Sequence, residues 1–254
     1  MASQQSKVEQ FRKLHVPGSP LVLYNVWDAG SAKAVTKAGA KAVATSSWAV
    51  AEANGFQDSE DAPLDFVVDN LRRIVDSTSL PVSLDLESGY GVTPDDVRES
   101  IDRVIVAGAV GCNLEDSFPE NHKLREIADQ VTRFRAARDA ADAASLAFFI
   151  NARTDVFIST PSAKHNIAMV GQVLKRAEAY KQAGADGIFV PGLTDIGLIT
   201  ELTEASPLPV NIMVDGTISL ADLTKAQVAR VSYGATPYAT LISGFEDAAS
   251  AVHG

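Results

Sequence analysis

The chain has 254 residues, 46% of them hydrophobic and 21% charged, so it is long enough to bury the core of one α/β barrel; two smaller domains are the less natural alternative. Its 22 basic and 32 acidic residues give a net charge of −10, which argues against a nucleic-acid or anionic-membrane partner and permits cation binding. Small anionic substrates stay compatible with this charge, because a metal ion and an arginine can invert the local field.

Along the chain, one unit repeats: a short apolar strand, a polar or glycine-rich turn, and an amphipathic helix. Eight such units predict a single α/β domain over residues 1–254, a (β/α)8 TIM barrel with its core at about 20–250. The predicted strands are 21–24, 42–45, 82–84, 112–114, 148–150, 187–190, 210–213 and 231–233. The predicted helices are 30–39, 64–77, 94–107, 123–143, 164–183, 195–204, 219–227 and 238–250.

Local signals support these boundaries. Thr93 and the following Pro-Asp-Asp are typical of a helix start, with an N-cap hydroxyl, proline at the first position and acids in the first turn. Gly39, Gly108 and Gly184 each stand just before a predicted strand, where glycine ends a helix in the left-handed conformation. The turns of the chain therefore agree with its hydrophobic pattern.

Cysteine usage and the apolar segments indicate the compartment. Cys112 is the only cysteine, so the chain forms no intramolecular disulfide and fits a reducing compartment. The N-terminal segment has no apolar core of a signal peptide, and no later segment reaches the length of a membrane span. We therefore expect a soluble cytoplasmic protein without a membrane partner.

The stretch 82–91, Val-Ser-Leu-Asp-Leu-Glu-Ser-Gly-Tyr-Gly, runs from an apolar strand into two carboxylates. Asp85 and Glu87 are two residues apart, so on an extended chain they point to the same side. Two anions beside a buried strand are unfavourable unless a cation or a shared proton compensates them. Gly89 and Gly91 let the backbone turn tightly or approach a ligand. The stretch is either the floor of an active site or an ordinary strand end with solvated acids.

Polar residues cluster just after the predicted strands, whereas the opposite strand ends carry mostly Gly, Ala and Pro. In a barrel of this kind the chemistry takes place where strands end and βα loops begin, so the asymmetry locates the mouth. The residues concerned are Asn25, Trp27, Asp28, Ser46, Ser47, Trp48, Asp85, Glu87, Asn113, Glu115, Asp116, Asn151, Arg153, Asp155, Pro191, Asn211 and Ser232.

Five stretches at this mouth carry specific motifs: 25–32 (Asn-Val-Trp-Asp-Ala-Gly-Ser-Ala), 85–91, 111–116 (Gly-Cys-Asn-Leu-Glu-Asp), 152–155 (Ala-Arg-Thr-Asp) and 184–191 (Gly-Ala-Asp-Gly-Ile-Phe-Val-Pro). In this order they resemble successive motifs of the isocitrate lyase/phosphoenolpyruvate mutase superfamily. The resemblance implies a barrel that binds Mg²⁺ or Mn²⁺ and a small 2-oxo or 2-hydroxy carboxylate, and that breaks or forms a C–C or P–C bond through an enolate. Members are usually homotetramers that often exchange the last helix, so we expect a homo-oligomer, a dimer or a tetramer.

The resemblance also implies a metal site. Asp85 would be the main Mg²⁺ ligand, with Glu87, Glu115 and Asp58 holding metal-bound waters. This arrangement is chemically sensible, because Mg²⁺ keeps several waters and needs few direct carboxylates. Asp58 lies in a stretch, 55–59, that resembles the acidic loop after the second strand of the family; a solvated loop acid is the alternative.

The same resemblance implies a carboxylate-binding set. The Ser-Ser-Trp run at 46–48 would present hydroxyl and backbone N–H groups to the substrate carboxylate. Arg153 would pair with it, since a planar guanidinium meets a carboxylate bidentately; a structural bridge to Asp155 or Glu115 is the alternative. Asn211 would bind the far end of the substrate, or is only a turn residue at a strand end.

The loop after the fourth strand departs from the lyases of the superfamily. Those lyases carry Lys-(Arg/Lys)-Cys-Gly-His there, and the cysteine protonates the product enolate. This chain has Glu-Asp-Ser-Phe-Pro-Glu-Asn-His-Lys-Leu at 115–124 and no cysteine. Cys112 is expected to be a small core side chain. Phosphoenolpyruvate mutases carry a longer loop with lysine and asparagine, to which residues 120–122 correspond only loosely.

His122 is the histidine near the predicted mouth, and a loop histidine can protonate an enolate near neutral pH. A plain surface histidine is the alternative for this position. The remaining histidines are expected at the surface: His15, His165 and His253.

These features predict a Mg²⁺-dependent enzyme that decarboxylates or hydrolyses an oxaloacetate-like 2-oxo diacid, with Arg153, His122 and Glu115 as candidate catalytic residues. The metal would act as a Lewis acid on the developing enolate. P–C bond chemistry on phosphonopyruvate is the alternative among enzymes, and a non-catalytic barrel that binds carboxylate and Mg²⁺ is the alternative from another class. The chain has no Gly-x-Gly-x-x-Gly after its first strand for a dinucleotide and no Ser-His-acid order at a nucleophile elbow.

Overall fold

The structure, a computed structural model, describes residues 3–214 and 216–253. Its strands are all parallel and pair in the order β1-β8-β7-β6-β5-β4-β3-β2, with the bridge Val26–Thr45 between the two end strands. This is the (β/α)8 barrel that the sequence predicts, so the fold class is confirmed. The strands are β1 (Leu21–Leu23), β2 (Val43–Ala44), β3 (Val82–Asp85), β4 (Gly111–Glu115), β5 (Phe149–Arg153), β6 (Gly187–Val190), β7 (Val210–Met213) and β8 (Arg230–Ser232).

The helices surround the barrel and pack on it through apolar faces, which buries the outward side chains of the strands in one continuous core. A 3₁₀ turn, Ser162–Lys164, lies in the loop after β5. Within the described residues, no helix is long and apolar enough to cross a bilayer. The helices are α1 (Gln4–Lys13), α2 (Ala29–Lys37), α3 (Ser47–Ala53), α4 (Leu64–Ser77), α5 (Pro94–Val106), α6 (Ile127–Ala143), α7 (Ile167–Gln182), α8 (Ile196–Ala205), α9 (Leu220–Lys225) and α10 (Thr236–His253).

The local signals behave as predicted. Thr93 caps α5, accepting a hydrogen bond from the backbone N–H of Asp96, whose side chain reaches back to the Thr93 N–H in a capping box. Gly39, Gly108 and Gly184 have φ angles of 93°, 97° and 100°, so each adopts the left-handed conformation after a helix end. These residues set where α2, α5 and α7 stop and where the following strands begin.

The sequence did not predict α1, which carries only two apolar side chains of its ten residues on one face, Val8 and Phe11. Both are fully buried. The Phe11 ring meets the Phe149 ring edge-on at 5.6 Å between centroids, and Gln4 donates hydrogen bonds to the Ile105 and Ala109 carbonyls. Phe149 begins β5, so α1 covers the amino ends of the strands, opposite the predicted mouth.

The prediction that His15 lies at the surface is wrong. Its exposed fraction is 8%, and its ring stacks on Phe149 at 4.0 Å between centroids because α1 carries the chain under the barrel. The Nδ1–H group donates to the Phe11 carbonyl at 2.9 Å. Burial, with the charge of Arg230 as the next cause, lowers the pKa of His15 to about 3. His253 is exposed as predicted, whereas His165 is half-buried.

The buried His15 makes the free energy of unfolding depend on pH. The unfolded chain takes up a proton near the ordinary value of 6.5, and the folded chain does so only near 3, so acid favours the unfolded state. We expect wild type to lose about 2 kcal/mol more than His15→Gln between pH 6.5 and pH 5. Denaturant titrations at the two pH values measure the difference. His253→Gln is the exposed control, and equal pH dependence in wild type and His15→Gln would contradict the buried neutral state.

Cys112 is fully buried within β4, as the sequence predicts. Burial raises the pKa of its thiol well above the ordinary value. The thiolate is therefore not formed at neutral pH, and the residue is a small apolar side chain of the core rather than a nucleophile.

Candidate active site

The carboxyl ends of the strands open into two adjoining cavities. The first cavity has a volume of about 280 Å³ and the second about 320 Å³. Ser47, Asp58, Arg153 and Ile158 line both cavities, so the two form one continuous site. The mouth of the barrel is thus the face at which the predicted site residues follow the strands.

Asp85 ends β3 and turns its carboxylate into the first cavity. One oxygen, Oδ2, accepts hydrogen bonds from the backbone N–H and the hydroxyl of Ser47, at 3.2 and 3.0 Å. The other, Oδ1, accepts from the Asn113 amide at 3.3 Å, and the Asp85 N–H donates to the Thr45 hydroxyl at 2.8 Å. Donors on α3 and β4 therefore fix the plane of this carboxylate, and the bond to Thr45 holds its backbone.

The residues predicted as a loop at 46–48 begin a helix instead. Ser46 is the N-cap of α3 and accepts from the backbone N–H of Ala49. Ser47 and Trp48 consequently occupy the first turn of α3, where backbone N–H groups have no acceptor inside the helix. The Ser47 N–H donates to the Asp85 carboxylate instead, and Ser47 and Trp48 both line the first cavity.

Glu87 lies in the second cavity and is almost fully buried. Its oxygens accept from the Tyr90 hydroxyl at 2.8 Å and from the Glu60 N–H at 2.7 Å. Burial raises the pKa of Glu87 to about 7; the Tyr90 hydrogen bond opposes this rise, and the charges of Asp58 and Asp85 add to it. Glu87, Tyr90 and Glu60 all have positive φ angles, of 51°, 55° and 65°, so strained backbone conformations cluster beside the cavity.

Two further carboxylates complete the acidic side. Burial raises the pKa of Asp58, and the neighbouring charge of Asp85 raises it further. Burial also raises the pKa of Glu115, against the opposing charge of Arg153. Among the described residues that line the two cavities, five carboxylates face one guanidinium, which leaves an excess of negative charge. The structure thus brings together Asp58, Asp85, Glu87 and Glu115, the four residues that the sequence predicts around a metal.

Arg153 lies between two carboxylates, Glu115 and Asp155, and forms an ion pair with each of them. Its Nη1 is 2.8 Å from Glu115, and its Nε and Nη2 are 2.7 and 3.1 Å from the two oxygens of Asp155. The Ser117 hydroxyl lies within hydrogen-bond distance of both carboxylates. The structural bridge considered for Arg153 is therefore present, and its pairing with a substrate stays a prediction.

The loop between β4 and α6 folds over the second cavity. A bridge joins Ser117 to Leu124, and the Phe118 carbonyl accepts from the backbone N–H of His122 at 2.8 Å. His122 is exposed, has a φ angle of 55° and lines the second cavity with Glu87 and Glu115. The structure therefore brings His122 to the site, while its part in a reaction stays a prediction.

The structure does not bring Asn211 to the lining of either cavity. It lies in the barrel interior, where its amide donates to the Arg230 carbonyl at 3.2 Å and its oxygen accepts from Asn151 at 3.1 Å. Asn113 instead reaches the cavity and contacts Asp85. Both are strand asparagines two residues from a strand end, so the sequence holds no signal that separates them.

The first cavity also has an apolar wall, of which only Pro191 was expected at the mouth from the sequence. This wall comes from β6, β7 and the loop after β5, on the side of the barrel away from Asp85 and Ser47. Phe189 and Met213 belong to strands that the periodicity assigned to the core, whereas Pro191 was predicted at the mouth. The wall consists of Ile158, Phe189, Pro191, Met213 and Val214.

The acidic side fits a hard divalent cation such as Mg²⁺. All its side-chain donors are oxygens, which suit Mg²⁺ better than a softer metal. Within residues 3–214 and 216–253, no three His, Cys, Asp or Glu side chains converge closely enough to enclose a metal by themselves. A cation held by one or two carboxylates that keeps its own waters matches this spacing.

Residues 11–253 match the profile of the phosphoenolpyruvate phosphomutase family. The chain belongs to this family. Its relatives include 2-methylisocitrate lyase of Escherichia coli, which is 28% identical over 246 residues, or 94% of this chain and 74% of the lyase. Members of the phosphoenolpyruvate phosphomutase family and their relatives are lyases or mutases, which confirms the predicted superfamily and enzyme class.

Solved structures of the family share the whole barrel. A phosphonomutase-like protein of Burkholderia cenocepacia is 50% identical, with a TM-score of 0.96 over 98% of this chain and 99% of the other. Phosphonopyruvate hydrolase, determined in complex with oxalate and Mg²⁺, has a TM-score of 0.84 over 97% of this chain and 87% of its own, at 21% identity. At that identity the likeness shows the fold.

Proposed function

We propose that the protein is a Mg²⁺-dependent enzyme that decarboxylates a small 2-oxo diacid such as oxaloacetate through an enolate. The observation that carries this proposal is that charged side chains and an apolar wall line the same cavity. The charged side chains are Asp58, Asp85 and Arg153, and the wall comes from β6, β7 and the loop after β5. The charged part would suit a metal-bound 2-oxo acid, and the wall would suit the carboxylate that leaves as neutral carbon dioxide.

The acidic side would hold the cation. Asp85 would be its direct ligand, and Asp58, Glu87 and Glu115 would bind its waters, as the family resemblance implies. When bound, Mg²⁺ or Mn²⁺ supplies Lewis-acid stabilisation of negative charge on the 2-oxo oxygen. The related phosphonopyruvate hydrolase, which binds oxalate and Mg²⁺, supports this choice of ion and of carboxylate ligand.

The protein's own groups would orient the substrate. Arg153 lies where its guanidinium can meet the carboxylate next to the keto group, at the boundary of the two cavities. Trp48 offers a backbone N–H in the first turn of α3, because that group has no acceptor within the helix. Ser47 would keep Asp85 in place through its two hydrogen bonds while the substrate binds.

The apolar wall favours decarboxylation over P–C chemistry. A carboxylate against apolar side chains is poorly solvated, and it loses its charge as carbon dioxide forms. A phosphonate carries more charge and needs cationic groups around the transferring phosphoryl group. Among the described residues that line the first cavity, Arg153 is the only lysine or arginine. The apolar wall, which includes Phe189 and Met213, therefore disfavours binding of a phosphonate.

A substrate panel tests the proposal. We would incubate the protein and Mg²⁺ with oxaloacetate, phosphonopyruvate, isocitrate, 2-methylisocitrate or dimethylmalate, and measure pyruvate, glyoxylate, phosphate and oxalate. Oxaloacetate should give pyruvate faster than Mg²⁺ without protein, which is the necessary blank. Oxalate from oxaloacetate would indicate hydrolysis, and phosphate from phosphonopyruvate would favour the P–C alternative. Absence of any turnover, with oxalate and Mg²⁺ still bound, would favour the non-catalytic barrel.

Arg153→Lys should weaken oxalate binding by about 1.5 to 3 kcal/mol, the worth of a charged hydrogen bond. An ammonium keeps the charge but cannot hold Glu115, Asp155 and a ligand carboxylate with one planar fork. Calorimetry with Mg²⁺ present measures the difference. Arg176→Lys, which alters the ion pair with Asp116 outside the cavities, is the control. Equal oxalate affinity in wild type and Arg153→Lys would make Arg153 a structural bridge only.

The proposal includes a homo-oligomer, because α10 exposes large apolar side chains. Leu241, Phe245 and Val252 lie on one face of α10, and Phe245 is 70% exposed. Such residues on a monomer mark a contact surface. The start of α10 also walls the first cavity through Thr236, so a neighbouring subunit here would adjoin the site.

Phe245→Asp should shift the protein toward the monomer, because a charge in an apolar interface is left unpaired. Size-exclusion chromatography with light scattering measures the mass of both proteins. Glu246→Gln, at the adjacent exposed position, should leave the mass unchanged. A wild-type monomer at micromolar concentration would contradict the homo-oligomer.

A further inference from the structure

Arg230 is a charged side chain inside the barrel, and residues 3–214 and 216–253 offer it no charged partner. It begins β8 and is 1% exposed, among the largest fully buried side chains of the described residues. Its Nη2 donates to the Asn113 side-chain oxygen at 3.3 Å, while its Nε and Nη1 have no hydrogen-bond partner in the part of the chain described. Within the same residues, no carboxylate forms an ion pair with it.

A buried guanidinium in this state costs free energy, and an apolar side chain would fill the interior at lower cost. Burial lowers the pKa of Arg230 to about 10, and the charge of Asp85 opposes the decrease, so the group stays charged at neutral pH. Departures from ordinary core composition are expected where a residue serves a site. The position of Arg230 below the cavities therefore calls for a role in the site.

Asn113 connects Arg230 to that site. Its side-chain oxygen accepts from Arg230 and, at 2.9 Å, from the amide of Asn151. With the oxygen engaged by two donors, the Asn113 amide nitrogen is turned toward Asp85 Oδ1 at 3.3 Å. A flipped amide would place its oxygen against the carboxylate and its N–H groups against the guanidinium. Arg230 and Asn151 together thus set which end of Asn113 faces Asp85.

We propose that Arg230 is a positioning residue for the cation site, acting through Asn113 to hold the Asp85 carboxylate in its orientation toward the first cavity. The inference rests on the proposed function, in which Asp85 is the main metal ligand. Ser47 holds one oxygen of Asp85 from the side of α3, and the Arg230–Asn113 pair holds the other from below. Residues that orient a metal ligand in this way set metal affinity without touching the metal.

A double-mutant cycle on Mn²⁺ binding, measured by calorimetry without substrate, tests this role. Arg230→Met keeps an unbranched side chain but removes the charge and all donors, and should weaken Mn²⁺ binding by about tenfold or more. Arg230→Lys, which keeps a charge and a donor, should recover most of that loss. In an Asn113→Ala background, Arg230→Met should weaken binding no further, because the connection to Asp85 is already broken.

Folding controls separate this role from a structural one. Arg138→Met removes another half-buried arginine, which bonds Asp186 at 2.6 Å near the amino ends of the strands, and should leave Mn²⁺ binding unchanged. If Arg230→Met does not fold, the cycle is run with Arg230→Lys, whose smaller loss should also vanish in the Asn113→Ala background.

Three outcomes would overturn the inference. Wild-type Mn²⁺ affinity in a folded Arg230→Met variant would make Arg230 purely structural while leaving the proposed function intact. Additive losses from Arg230→Met and Asn113→Ala would show that Arg230 acts by another route. A wild-type protein that binds no Mn²⁺ at millimolar concentration would remove the metal-dependent function, and this inference with it.

Discussion

Asp85→Ala should lower Mg²⁺-dependent turnover of the substrate by about 10³-fold, because the Lewis-acid stabilisation that depends on this ligand is worth several kcal/mol. The Asp85 carboxylate accepts three hydrogen bonds, two from Ser47 and one from Asn113. It ends β3 at the floor of the first cavity. Loss of the side chain would remove the proposed direct ligand, while Glu87 and Asp58 would keep the water-mediated positions proposed for them. The barrel should persist, since residues at the mouth serve the site and not the core.

The measurement is steady-state turnover with Mg²⁺ titrated from zero, beside circular dichroism to verify folding. Asp69→Ala is the matched control, because Asp69 is exposed on α4 and pairs with Arg72, at 2.6 Å, outside both cavities. Its turnover should equal that of wild type. Wild-type activity that persists in excess chelator would contradict the metal dependence itself, and wild-type activity in Asp85→Ala would assign the ligand role to another acid.

The barrel could be predicted because most of its strands and helices carry their own periodic signal, and several end or begin at a glycine or a cap residue. Gly108 and Thr93 illustrate this, since both conformations follow from the local sequence. The barrel placed Asp85, Glu87 and Glu115 at the mouth, because chemistry in this fold lies at one end of the strands, whereas Asp58 followed from the family resemblance. Asp85 and Glu115 end β3 and β4, so their proximity depends on topology alone.

The features that could not be predicted depend on contacts between segments that are distant in sequence. Such contacts leave no local signal in the sequence. Glu60 reaches Glu87 only because the loop before α4 docks on the loop after β3. His15 is buried only because α1, with two apolar residues on its inner face, packs under the barrel. Arg230 lay outside the predicted eighth strand, since charged residues are almost never fully buried without a partner. Its burial is a property of the assembled interior.

Isocitrate and 2-methylisocitrate should be cleaved at a negligible rate, although a relative of this chain is a 2-methylisocitrate lyase. Cleavage of either substrate needs a group that exchanges a proton with the carbon of the departing dicarboxylate. In the lyases of the superfamily a loop cysteine has that role. The corresponding loop here, residues 117–124, has no cysteine, and the chain's only thiol is Cys112, buried inside β4.

A missing general acid typically costs about 10²- to 10⁴-fold in rate, and this is the deficit that we expect for both C–C lyase substrates. Decarboxylation has no such requirement when the bond breaks, because water can protonate the enolate afterwards. His122→Ala should therefore reduce decarboxylation only modestly, although His122 lines the second cavity beside Glu87 and Glu115. Glyoxylate release from isocitrate, followed in a coupled assay, measures the rate of C–C cleavage. His253→Ala is the control for the effect of His122→Ala on decarboxylation. Release at an ordinary enzymatic rate would mean that another residue of the loop replaces the cysteine, with Glu120, His122 and Lys123 as its titratable groups.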